Sequence, residues 1–287
     1  LLFFYFFLMF NMLMLNNVYF IWLIMEIMFV YFLLLSLMYE NKSVGLVVYF
    51  FFQSFMSLLL FVSIYFLMSK LIFFLLVAKL GLYPFFYWMV IVSVKVGFFT
   101  NMFVLSFQKI SVFWLLWFML DVSLSILLLL VYASMFFVIF NLLLISDLWL
   151  LLVYSSVSNT GMLILSLYGN YYLFVIFLYL SVVFFIIFFV SKLDSYMEMM
   201  MIVFFFLVVP PFVLFFMKLY VIMSLEFFVN VGFFLVMFDV LVLLYYFSLV
   251  FMKFMLIEVS GLVWFMNMLV LLMLMVFSNC VTMIVFN

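Results

Sequence analysis

Four charged residues stand inside long apolar stretches of this sequence: Glu26, Lys79, Lys109 and Lys218. A carboxyl group and three amines can each gain and lose a proton. Strung through a hydrophobic interior they could pass protons along a path. Each charge costs at least about 2.5–3.5 kcal/mol near a bilayer centre, so all four must pair, face the protein interior or meet water. Glu26 and Lys79 also fit a purely structural ion pair, and Lys218 could snorkel its amine to an interface. Asp239 is either a fifth buried charge or a residue at the edge of its stretch. Asp121, Asp147, Asp194, Glu198 and Glu258 read as loop charges. A polar run, Ser155, Ser156, Ser158, Asn159 and Thr160, interrupts another apolar stretch and could bond neighbouring helices or line a hydrated channel.

The elements that must hold these groups follow from composition. The chain has 287 residues, 76% of them hydrophobic, 26% aromatic and only 6% charged. Soluble domains carry roughly a quarter charged residues, so this is the sequence of an integral membrane protein. A spanning helix with its loop takes roughly 25 residues, which allows about 11 spans. Polar clusters divide the sequence into 1–15, 18–38, 44–68, 71–94, 97–118, 121–143, 148–168, 170–191, 199–225, 229–251 and 259–285. The runs are continuously apolar, which excludes the alternation of a β-barrel. The expected fold is all-α, a polytopic transmembrane helix bundle forming one domain over 1–287.

Pro84 falls inside the fourth span and Pro210-Pro211 inside the ninth, which predicts a broken helix in each. Spans five apart run in opposite directions. The pattern therefore fits inverted five-helix repeats, about 1–118 and 121–251, followed by a C-terminal helix over about 259–285. With 11 spans, Lys42, Lys95, Lys192 and Lys253 fall in loops on the N-terminal side and Lys70 alone falls opposite. The bias places the N-terminus on the inner side and the C-terminus on the outer.

Absences exclude whole function classes. There is no His, so neither a bis-histidine haem nor a haem–copper centre can form from this chain. Cys280 is the single cysteine and reads as a small apolar residue. No metal, phosphate-loop or nucleophile motif is present, and a net charge of −1 gives no basis for a nucleic-acid partner. The first charge of either sign is Glu26, so neither a secretory signal nor a presequence is expected. Leu1 and the abundance of Phe, Met, Leu and Val would suit a gene of a small animal mitochondrial genome.

Several segments carry a family resemblance. Ala78-Lys-Leu-Gly-Leu-Tyr-Pro-Phe-Phe-Tyr-Trp88 resembles the Lys-Leu-Gly-x-x-Pro-Phe-His-x-Trp segment of the antiporter-like membrane subunits of respiratory complex I. Gln108-Lys-Ile110 is similar to the Gln-Lys segment of their next helix, and Trp22-Leu-Ile-Met-Glu26 to the helix with their membrane glutamate. Tyr154-Ser-Ser-Val-Ser-Asn-Thr-Gly161 resembles their Tyr-Ser-Ser-x-x-His-x-Gly. Pro210-Pro211 with Lys218 matches their Pro-Pro and lysine spacing. The pieces run in the family's order from Trp22 to Lys218, and 11 spans fit its short animal type.

The resemblance implies a core subunit of NADH:ubiquinone oxidoreductase in the mitochondrial inner membrane, with the N-terminus in the matrix and the C-terminus in the intermembrane space. It implies proton translocation by Glu26, Lys79, Lys109 and Lys218. Glu26 would modulate Lys79, Lys109 would be the central relay, and Lys218 the terminal group. NADH, FMN, iron–sulfur clusters and ubiquinone would belong to partner subunits, with no cofactor in this chain. Chain 4 and small hydrophobic subunits would be its neighbours, and cardiolipin a plausible lipid contact. Three positions depart from the family: Phe86 and Asn159 stand where it has His, and Ile24 where it has Gly. Two other readings remain open, a stand-alone cation/proton antiporter of related fold and a structural spacer that has lost its proton path.

Overall fold

The computed structural model describes residues 2–39, 43–119, 124–142, 148–167 and 176. These are helices and turns with no strand among them, so the all-helical expectation holds. Span eight apart from residue 176, spans nine to eleven, Pro210-Pro211, Lys218, Asp239, Cys280 and the C-terminal helix lie outside the described residues, as does the expected second repeat beyond its first two helices.

Seven of the apolar stretches map onto helices in order. They are α1 (Leu2–Leu13), α2 (Val18–Tyr39), α3 (Ser43–Tyr65), α4 (Ser69–Leu80) with α5 (Tyr87–Lys95), α6 (Phe98–Leu105) with α7 (Phe107–Phe118), α8 (Leu124–Leu142) and α9 (Leu148–Ser166). Single apolar runs make these helices, because in lipid every backbone N–H and C=O must be satisfied within its own segment. Helices α2 and α3 are long and apolar enough to cross a bilayer. Large side chains such as Phe3, Phe7, Phe10, Phe51, Phe55 and Leu67 project outward, a surface that suits lipid rather than water.

Two stretches are interrupted. The fourth breaks near Pro84, as its sequence implies. Helix α4 ends in a Schellman turn, with the Gly81 N–H bonded to the Ala78 carbonyl at 3.1 Å and the Leu82 N–H to the Val77 carbonyl at 3.3 Å. Gly81 takes φ +74°, the left-handed conformation that glycine adopts without strain. The Tyr83–Pro84 peptide is cis, and the chain re-enters helix at Tyr87. The Trp88 indole N–H reaches back to the same Ala78 carbonyl at 3.0 Å, pinning α5 to the end of α4.

The fifth stretch breaks as well, which its sequence does not announce. Ser106, at φ −119° and ψ −83°, separates α6 from α7 with neither Pro nor Gly nearby. Lys109 therefore sits in the first turn of α7 rather than mid-helix. The loop placements of Lys70 and Lys95 also need correction: Lys70 lies in the first turn of α4 and Lys95 ends α5, both exposed. Helix ends near an interface serve an ammonium as well as loops do, since the long side chain reaches water either way.

The core is apolar and aromatic. Tyr5, Phe32, Phe86 and Phe113 are among its largest fully buried side chains. Helix α9 packs on α8 through Gly161, where an added Cβ would lie 3.1 Å from Ser134 Oγ. It meets α5 where Phe86 and Tyr154 rings approach with centroids 5.9 Å apart.

Candidate functional site

The two interruptions accompany the gathering of three charges from within the apolar stretches, Glu26, Lys79 and Lys109, into one region. Lys79 lies in the last turn of α4, where exposed helix carbonyls favour a cation. Its Nζ donates to Glu26 Oε1 on α2 at 3.1 Å. The lysine side chain is 5% exposed and the glutamate 22%, so the carboxylate keeps one edge toward the outside of the described bundle while the ammonium is enclosed. The bond answers how two charges can sit in an apolar stretch: each neutralises the other at hydrogen-bond distance.

Lys109 is buried, and its Nζ has no hydrogen-bond partner among the described residues. Between it and Lys79 lies a cavity of about 20 Å³, room for a water molecule. Both lysines line it, together with Gln108 and Ser111 from α7, Tyr49 and Gln53 from α3, and Trp88 and Met89 from α5. The Ser111 hydroxyl donates to the Gln108 carbonyl at 3.0 Å. The Gln108 Nε2, like Lys109 Nζ, is buried without a partner among the described residues. A carboxylate, an ammonium, a small cavity of mixed polar and apolar lining and a second amine thus follow one another across α2, α4 and α7. Such a row can hold and exchange protons; it contains no nucleophile–base pair, and no cluster of potential metal ligands occurs among the described residues.

The polar run of α9 behaves differently from an open channel lining. Ser156, Ser158 and Thr160 each donate to a carbonyl of their own helix, at 2.7, 2.9 and 2.8 Å. Ser156 Oγ also lies 3.7 Å from Met89 Sδ on α5. All five residues are buried, and Asn159 Oδ1 has no partner among the described residues. Phe86, only 1% exposed, fills its position with an apolar ring.

Sequence reading missed several members of the region. Gln53 and Tyr49 have no charge and passed as ordinary residues of the third span. The signal was available: the sequence holds just two glutamines, Gln53 and Gln108, and both line the cavity. Tyr5 on α1, fully buried and with no hydrogen-bond partner for its hydroxyl among the described residues, was missed too. Asn101 on α6 donates to the Ser93 carbonyl at 2.9 Å and the Val96 carbonyl at 3.5 Å, tying the end of α5 to the next helix.

These features define an all-helical membrane protein with an ion pair and a second buried amine at two broken helices. A chain of respiratory complex I from Thermus thermophilus, in its structure with bound aureothin, shares the fold with a TM-score of 0.67 at 17% sequence identity. The likeness covers 80% of this chain and 64% of that one, so this chain spans less than two thirds of its neighbour's length. No protein-family model matches the sequence, and no curated protein matches it.

Proposed function

We propose that this chain is a membrane-arm subunit of respiratory complex I, and within it NADH–ubiquinone oxidoreductase chain 2 of the short animal type. It would work in the mitochondrial inner membrane, moving protons through Glu26, Lys79, Lys109 and Lys218 while partner subunits, chain 4 among them, carry out or transmit the redox chemistry. The observation that carries this reading is the Lys79–Glu26 bond at the end of a broken helix, with Lys109 across a small cavity that Gln53, Gln108 and Ser111 also line. A purely structural pair has no need of a second buried amine facing it, one with no partner among the described residues. The shared fold and the motif order from Trp22 to Lys218 point the same way.

One observation favours the spacer reading. Phe86 closes with a buried ring the position at which the family carries His, so no imidazole can serve there. The two readings part on whether protons move through this chain. The assignment itself is tested by solubilising native membranes gently and separating complexes by size. Co-migration of this chain with NADH-oxidising activity in a large assembly supports it. A small particle without that activity overturns it and makes sodium/proton exchange the next assay.

A further inference from the structure

The cavity between the two lysines is rich in donors. Each ammonium offers three N–H groups, of which one on Lys79 is committed to Glu26. Lys109 Nζ and Gln108 Nε2 add donors with no partner among the described residues. The balancing acceptors come largely from α3, where Tyr49 and Gln53 lie four residues apart on one helix face and both line the cavity. Gln53 is 7% exposed in a span otherwise built for lipid and packing. Burying an amide there costs free energy unless it meets a polar partner, so its position calls for a purpose.

We propose that Gln53 is a positioning residue for proton exchange between Lys79 and Lys109. Its amide oxygen accepts from the water that the cavity has room for and orients it toward both amines. One proton passes from the ammonium of one lysine to that water, and one passes from the water to the neutral amine of the other. The water is regenerated, the summed charge of the pair is unchanged, and Gln53 is never ionised. An amide suits the task because it accepts a hydrogen bond without competing for the proton, whereas a carboxylate would hold the positive charge in place. The proposal rests on the proton-translocating reading of the same site.

The test uses the whole assembled complex in vesicles, with proton uptake read at fixed NADH turnover for Gln53→Met, Gln53→Asn and Lys109→Met. Methionine keeps the length and bulk of Gln53 and removes its amide; asparagine keeps the amide and loses a methylene. Losing one hydrogen bond in a charged network predicts a fall of about tenfold or more in pumping for Gln53→Met, with Gln53→Asn several-fold better. A packing role predicts the reverse order. Loss of pumping in Lys109→Met with unchanged pumping in Gln53→Met, or with asparagine worse than methionine, overturns the role of Gln53 and leaves the translocation reading standing. Unchanged pumping in Lys109→Met overturns the translocation reading and this proposal with it. Gln53→Leu is the second apolar variant, and failure of both apolar variants to assemble makes Gln53 a folding residue and overturns the proposal.

Discussion

The turn that ends α4 makes a quantitative prediction about Gly81→Ala. Gly81 adopts φ +74°, and a left-handed conformation costs an L-residue about 1–2 kcal/mol. An added Cβ would also lie 2.6 Å from Met89 Cε and 3.5 Å from both Met89 Cβ and Trp88 Cζ2. Overpacking of that kind costs about 1–3 kcal/mol, and the Met89 chain end can swing aside, which keeps the total near about 2–3 kcal/mol. The clash and the backbone strain are separable. In a Met89→Val background the Cε is gone, so Gly81→Ala should there cost only the conformational part, about 1–2 kcal/mol. Denaturant titration in mixed micelles of Gly81→Ala, Met89→Val and the double variant gives the comparison. A cost for Gly81→Ala below about 0.5 kcal/mol, the usual range for an unconstrained surface change, would refute the left-handed turn. Equal costs in both backgrounds would refute the contact with Met89.

Further perturbations address the pair and its supports. Glu26→Leu should lower the amount of assembled chain more than Glu26→Leu with Lys79→Leu, because the single variant strands an ammonium; the penalty should fall below the about 3–5 kcal/mol of a fully enclosed pair, since Glu26 keeps 22% exposure. Quantifying this chain in the assembled complex by immunoblot decides it, and a double variant no better than the single would count against the pair. Trp88→Phe removes the indole bond to the Ala78 carbonyl and should destabilise by about 0.5–1.5 kcal/mol in the same titration. Gly161→Val should cost about 1–3 kcal/mol by forcing α9 from Ser134 on α8, visible as a lower denaturation midpoint.

Much of the described half could be read from the sequence because lipid enforces simple rules. Stretch 18–38 became α2 to within one residue and 44–68 became α3, which stops three residues earlier at Tyr65, since an apolar run bounded by polar clusters has no other way to satisfy its backbone. Pro84 announced the first broken helix through its missing N–H. Charge inside an apolar run pointed to Glu26 and Lys79, and their bond follows from the cost of leaving either alone.

The break at Ser106 was hidden, because serine is only a weak helix breaker and neither Pro nor Gly stands beside it. Gln53 and Tyr49 were hidden for a related reason. An uncharged polar side chain carries little penalty in a hydropathy reading, and its meaning comes only from the lysines of α4 and α7 that line the same cavity. The polar run of α9 fitted either bonds to neighbouring helices or a channel lining, yet three of its hydroxyls spend their protons on their own helix. Local back-bonding of this type is invisible to spacing arguments.

The central claim is that protons cross the membrane through the buried lysines of this chain. Its most direct test is the proton-to-electron ratio of the assembled complex carrying Lys109→Met, measured in sealed vesicles during NADH oxidation. A lowered ratio with intact assembly is the predicted result. A ratio equal to that of the unmodified complex would contradict the account and leave this chain as a structural spacer.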